Sequence, residues 1–136
     1  MMRTRIPDLL EIIQKNAHSQ QFDVNALLRM ADISDSYLRE FMYKKYGMAP
    51  AKVIETVRLK SVLHLCITTS NVELLAHSCG FGCGKTLKRA FNRRIRISVC
   101  KAKKLLLSSP NPEHYMNEWM NNLWTKIDTY DRLHYM

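Results

Sequence analysis

An all-α fold is predicted for this chain, on three observations. No stretch carries the apolar–polar alternation, bounded by turns, that marks strands. Apolar residues recur instead at i, i+3 and i+4, the period of one buried helix face. A two-helix pattern is also written twice, over about residues 24–47 and again over about 72–96. Leu27-Leu28 aligns with Leu75-Ala76 and Asp32-Ile33 with Gly80-Phe81, both at an offset of 48. Beyond the turn, Leu38, Met42 and Gly47 align with Leu87, Phe91 and Arg96 at an offset of 49, so the second copy carries one extra turn residue. Gly80 suits the left-handed backbone of a tight interhelical turn, and Asp32 tolerates it better than most residues. The pattern is that of two helix-turn-helix units.

The elements follow in order. Pro7 and the apolar Leu9, Leu10, Ile12 and Ile13 predict a helix over about 7–18. Asp23 caps a helix over about 24–31, and Ser34 caps the next, over about 35–46, which Gly47 stops. Pro50 opens a long helix over about 50–67, with Val53, Ile54, Val57, Val62, Leu63 and Leu65 to bury. The polar run Thr69-Ser70-Asn71 marks a boundary, and helices follow over about 72–78 and 83–95. Ser98 caps one more, over about 99–107. The first subdomain thus covers about 7–49, the linker helix about 50–67 and the second subdomain about 71–107. Ser108-Ser109-Pro110-Asn111-Pro112 breaks the pattern and reads as a linker over 108–112.

The segment 113–136 is different in kind. Met116, Met120, Leu123, Ile127 and Tyr130 recur at 4,3,4,3 spacing beside Trp119 and Trp124, an amphipathic helix of about 18 residues. Two readings of this helix, which starts at Tyr115 and ends at Tyr130, stay open. It packs back on the domain, or it offers a surface for self-association or a protein partner, where aromatics and Met are enriched.

Charge narrows the function. The chain of 136 residues has a formal net charge of +9. Residues 1–110 hold 19 Lys/Arg against 8 Asp/Glu, whereas residues 111–136 hold 2 against 4. From Lys85 to Lys104 there are nine basic residues and no acidic one. A polyanion is the direct partner for such a surface, because neutralised phosphates release their counterions. No apolar run approaches the ~20 residues that span a bilayer, so no membrane is expected. The N-terminal residues lack an apolar signal core, which predicts a cytoplasmic chain. The four cysteines, Cys66, Cys79, Cys83 and Cys100, lie in or beside predicted helices and read as reduced thiols.

At Ser34-x3-Leu38-x8-Gly47-Met48-x-Pro50, followed by Arg58-Leu59, the chain resembles the DNA-binding domain of the AraC/XylS family of bacterial transcription regulators. Leu75-Ala76-x3-Gly80-Phe81-x5-Leu87-x-Arg89-Ala90-Phe91 and Ile97-Ser98 repeat the resemblance, which covers about residues 8–105. It implies two helix-turn-helix subdomains joined by a long helix, each placing a recognition helix in the major groove of double-stranded DNA. It further implies a nucleoid-associated cytoplasmic regulator, an activator that contacts RNA polymerase, with no cofactor. A linker helix of 16–18 residues spans about 24–27 Å, which suits two heads reading successive turns of DNA ~34 Å apart.

By the same resemblance, the base-reading positions of the first head fall on Ser36, Tyr37, Arg39 and Glu40. Those of the second fall on Gly84, Lys85, Thr86 and Arg89, with Lys88 adjacent. Arg39, Lys85 and Arg89 can donate to guanine O6 and N7, and Thr86 can hydrogen-bond or touch a thymine methyl. Lys44, Lys45, Lys52, Arg93 and Arg94 are expected to hold phosphates, which position without specifying. Glu40 departs from the family, whose members often carry a basic residue there. Its carboxylate either accepts from cytosine N4 or pairs with Lys44 at i,i+4. Arg96 and Val99 replace the usual Gly and Pro of the second motif, and Met42 replaces the usual Phe of the first. Gly82 and Gly84 weaken the start of the second recognition helix by ~1 kcal/mol each relative to Ala.

Two other chemistries are weighed and set aside. Cys79-Gly80-Phe81-Gly82-Cys83-Gly84-Lys85-Thr86 nearly spells the phosphate-binding loop G-x4-G-K-[ST], but Cys79 stands at the first glycine and a helix precedes it, not a strand. His77-x-Cys79-x3-Cys83 offers only three local ligands, with Cys79 expected inside the turn, so a buried thiol is expected and not zinc. No nucleophile–base pair can be assembled, and no enzyme is expected. The competing function is an interaction protein: a degenerate family member that works through its C-terminal helix and binds DNA weakly and non-specifically.

Overall fold

The computed structural model describes residues 8–126. These form eight α-helices and no strand: α1 (Leu9–Asn16), α2 (Val24–Ala31), α3 (Asp35–Tyr46), α4 (Pro50–Leu65), α5 (Val72–Ser78), α6 (Gly84–Ile95), α7 (Val99–Ser108) and α8 (Pro112–Asn121), the last running into a π-helical turn over Asn122–Lys126. Helix α1 is shorter than the predicted 7–18. The Asp8 carboxylate accepts from the Glu11 backbone N–H at 3.2 Å, which sets the helix start at Leu9.

Capping side chains set most of the other starts. Asp23 accepts from Ala26 N–H at 2.9 Å, Ser34 from Tyr37 N–H at 3.1 Å and Ser98 from Lys101 N–H at 3.1 Å. Asn71 takes two such bonds, from Glu73 at 2.8 Å and Leu74 at 3.3 Å. Each cap contributes about 1 kcal/mol. Both interhelical turns use the left-handed backbone that the sequence suggested, with φ +56° at Asp32 and +91° at Gly80. Gly47 and Arg96 end the two recognition helices in the same conformation, at φ +72° and +79°. At Arg96 a Cβ-bearing residue stands where glycine is favoured, at a cost of about 1–2 kcal/mol.

The buried residues form two cores, and α4 belongs to both. Val53, Ile54 and Val57 close the first core over Leu9, Ile13, Leu27, Leu38 and Met42. Leu59, Val62 and Leu63 enter the second with Leu75, Leu87, Phe91 and Ala102. A helix buried on opposite sides along its length needs apolar residues all round, and α4 has them. Met42 is fully buried and fills the place of the family's usual Phe.

The C-terminal segment folds back. Trp119 and Leu123 are buried in the second core, and Trp124 touches both cores, its ring 5.5 Å from that of Tyr46. The predicted 18-residue helix is therefore an α-helix only as far as Asn121, before the π-helical turn turns Leu123 and Trp124 inward. Ile127 and Tyr130 lie outside the described residues. Within those residues no helix is long and apolar enough to cross a membrane.

Candidate nucleic-acid interface

Helices α3 and α6 are the second helices of the two units, and both are 12 residues long. Burial of Leu38 and Met42 on α3, and of Leu87, Ala90 and Phe91 on α6, turns the opposite faces outward. Ser36, Arg39, Glu40, Lys44 and Lys45 are exposed on α3, and Tyr37 is half-buried beside Phe41, with ring centroids 6.2 Å apart. Lys45 lies over the Phe41 ring at 5.9 Å. On α6, Lys85, Thr86, Lys88, Arg89 and Arg93 are exposed. Lys52, at the first turn of α4, is half-buried.

Two sequence-predicted site residues are placed elsewhere. Gly84 is buried in the elbow between α5 and α6, where its N–H donates to the Glu73 carboxylate at 3.1 Å. A Cβ there would lie 2.6 Å from Glu73 Oε2 and 3.1 Å from Val72 Cγ1. The glycine thus serves closure of the elbow, not base reading. Arg94 is only 3% exposed and cannot reach a phosphate. Its Nη1 donates to Glu55 Oε1 at 2.7 Å, and its Nη2 donates to Thr56 Oγ1 at 2.8 Å and to the Leu123 carbonyl at 3.0 Å. Its Nε is buried without a partner among the described residues, a burden of about 1–3 kcal/mol that the three other bonds offset.

This Arg94 clasp joins α4, α6 and the C-terminal turn. Arg93 lies beside it and donates to the other Glu55 oxygen at 2.6 Å, yet stays 59% exposed at its side chain, so it remains available to phosphate. A second tie starts from the same helix, three residues beyond Glu55. Arg58 donates to the carbonyls of Ala17 (2.8 Å), Ser19 (3.0 Å) and Phe22 (2.7 Å) in and beside the α1–α2 loop. Gly80 of the second turn sits against the same place: a Cβ on it would be 2.0 Å from the Ala17 carbonyl oxygen and 2.7 Å from Arg58 Nε. Both heads are therefore tied to the linker helix.

Sequence reasoning missed four members of this bracing. Glu55 was visible as the single carboxylate of α4, set between Lys52 and Arg58. Glu73 is an acid in the first turn of α5, where the helix dipole favours it, and its reach across the elbow leaves no trace in spacing. Thr56 and the Leu123 carbonyl gave no signal, because both act only through the tertiary position of Arg94.

The two faces differ in their internal charge balance. On α3, Arg39 lies 3.3 Å from Asp35 and Lys44 lies 3.6 Å from Glu40, both as exposed i,i+4 pairs. Glu40 therefore makes the pairing with Lys44 that was one of its two expected roles. On α6, Lys85, Lys88 and Arg89 have no carboxylate within ion-pair distance among the described residues. Glu73 of α5 reaches the start of α6 and accepts from the Gly84 N–H.

The thiols sort by burial. Cys66 and Cys79 are buried, and burial pushes both pKa values up, that of Cys79 to about 11. Cys83 is exposed at the N-terminus of α6, 3.5 Å from the Thr86 hydroxyl, whose hydrogen bond lowers the thiol below its ordinary range. Cys79 and Cys83 thus face different surroundings, and no group of three or more His, Cys, Asp or Glu able to hold a metal occurs among the described residues.

With this geometry in hand, the relatives are informative. The chain is 30% identical over 76 residues to the HTH-type transcriptional regulator Rv1931c of Mycobacterium tuberculosis, a match covering 55% of this chain and 29% of that protein. The matched region thus spans under a third of that relative's length. Two solved structures share the fold. One is the C-terminal domain of AraT, a response regulator from Geobacillus stearothermophilus (TM-score 0.66, 15% identity, 74% of this chain and 88% of that one). The other is the C-terminal domain of the two-component response regulator yesN from Fusobacterium nucleatum (TM-score 0.65, 21% identity, 70% and 93%). A family model described as a helix-turn-helix domain matches residues 27–104, more than half of the chain. The chain therefore belongs to the AraC-type helix-turn-helix family, a family of DNA-binding transcription regulators.

Proposed function

We propose that this protein regulates transcription by binding double-stranded DNA sequence-specifically, with α3 and α6 entering successive major grooves. The observation that carries this reading is the pair of outward faces on equivalent helices held by one braced linker, one of them bearing Lys85, Thr86, Lys88 and Arg89 without an opposing acid. Arg89 and Lys85 read guanine, Thr86 and Lys88 contact neighbouring edges, and Ser36, Tyr37 and Arg39 read the second half-site more weakly. Lys44, Lys45, Lys52 and Arg93 hold phosphates. Activation through RNA polymerase belongs to the same reading and is tested by transcription from a bound promoter with purified polymerase.

Selection of bound sequences from a random duplex pool, followed by footprinting, tests the binding mode. The expected footprint has two half-sites about one helical turn, ~34 Å, apart. A footprint over one half-site overturns the use of both heads. Equal affinity for selected and random DNA overturns sequence specificity and leaves only the electrostatic grip.

A further inference from the structure

We infer that the second head carries a binding site for a small apolar organic anion, such as an aromatic carboxylate, immediately behind its DNA-facing helix. A cavity of about 320 Å³ opens between the end of α4 and helices α5, α6 and α7. That volume lies at the small end of the ~300–1,000 Å³ typical of ligand sites. Its walls are apolar, formed by Val72, Leu75, Val99 and the buried Cys66 thiol. Its charged lining residues are both cations, Lys88 from α6 and Lys103 from α7.

Neither lysine has a carboxylate within ion-pair distance among the described residues. Lys103 Nζ instead donates to the Thr69 carbonyl at 3.4 Å, at the α4–α5 junction that also lines the cavity. An apolar recess with two unneutralised ammonium groups selects a ligand with an apolar body and one negative group. The body is desolvated against Val72 and Val99, and the anion takes charge-assisted hydrogen bonds from the lysines. A cation is repelled, and a neutral molecule of the same shape loses the charged bonds.

The site also has a consequence for regulation, which rests on α6 being the DNA-contacting helix. Lys88 belongs to the exposed cationic set of α6 and also lines the cavity. A bound anion neutralises Lys88 in place and removes one DNA-attracting charge from the reading head. Ligand and DNA therefore oppose one another, and each weakens the other by the same factor.

The test uses 1-naphthoate as probe, with 1-naphthalenemethanol as its neutral counterpart, titrated into the DNA-free chain by calorimetry. Saturable 1:1 binding of the acid is expected, with the alcohol weaker by about fivefold or more, the loss of roughly one charge-assisted bond. Val99→Phe fills the cavity and Lys103→Gln removes a lining charge. Each is expected to raise Kd by about fivefold to tenfold while circular dichroism stays unchanged. The exposed Cys100 lines the cavity and Cys83 does not. The probe should therefore slow iodoacetamide alkylation of Cys100 and leave that of Cys83 unaltered.

No saturation, equal binding of acid and alcohol, or wild-type affinity in both folded variants overturns the site. Binding as described with no change in DNA affinity overturns the regulatory part alone. A chain that binds the probe but no DNA overturns the proposed function and leaves the site standing.

Discussion

Helices α3 and α6 have equal length and bury equivalent registers, but they differ in how their cations are neutralised. Helix α3 has three cations and two carboxylates, and Asp35 and Glu40 pair with Arg39 and Lys44 along the same helix. Helix α6 has five cations and no carboxylate, and its only ion-pair partner among the described residues, Glu55, comes from α4 and holds Arg93 and Arg94. Backbone plan and charge are thus separate layers of the design. Two copies can keep the same left-handed stops and core positions while one becomes a weakly charged face and the other a strongly cationic one. The second head is expected to supply most of the attraction to DNA, and the first to add contacts that DNA must win from internal ion pairs.

The largest expected effect tests the second head's dependence on its clasp. Arg94→Ala leaves Glu55, Thr56 and the Leu123 carbonyl short of a donor, and removal of one member of a buried ionic network costs about 3–5 kcal/mol. Because Arg93 still pairs with Glu55, the lower end of that range is expected in urea denaturation. A loss of DNA affinity with unchanged stability would restore Arg94 to the phosphate set.

The next compares the heads directly. Arg89→Ala is expected to cost about 1–3 kcal/mol of specific binding and relax one operator position. Arg39→Ala, which removes a cation already held by Asp35, should cost less than about 1 kcal/mol. Equal losses in a binding titration would break the asymmetry. Smaller again, Arg96→Gly relieves the positive φ and is expected to stabilise the fold by about 0.5–1 kcal/mol, read as a higher urea midpoint. It should do so although it removes a cation from the second subdomain. The smallest effect sharpens the first head. Glu40→Gln frees Lys44 and should raise affinity for random DNA about twofold to threefold, with a steeper salt dependence.

Much of this fold was legible in the sequence, because its determinants are local. Ser34, Asp23 and Ser98 cap the next few residues, Gly47 and Gly80 adopt the backbone that glycine favours, and Leu38/Met42 mirror Leu87/Phe91 in register. The site positions come from the resemblance, and only their exposure is local, since the 100° turn sets a helical residue's place beside its buried neighbours. Gly84 and Arg94 were not legible. Their roles depend on Glu73 and Glu55, which are 11 and 39 residues away in sequence, and a resemblance carries over a position without its tertiary partners. The C-terminal helix admits two readings from sequence because amphipathic spacing gives a face its stickiness but not its occupant. Burial of Trp119 and Leu123 assigns that face, over the described residues, to the domain itself.

The bracing of the linker helix bears on the DNA as much as on the protein. Helix α4, at 16 residues, is about 24 Å long, shorter than the ~34 Å repeat of straight B-form DNA. Arg58 and Arg94 tie it to the two heads, so the frame resists stretching to match. If this frame holds the two reading helices closer than one DNA turn, a duplex engaged by both has to curve toward the protein. Curvature is cheapest at flexible pyrimidine–purine steps. The base pairs between the half-sites, which no side chain touches, would then be selected by their stiffness.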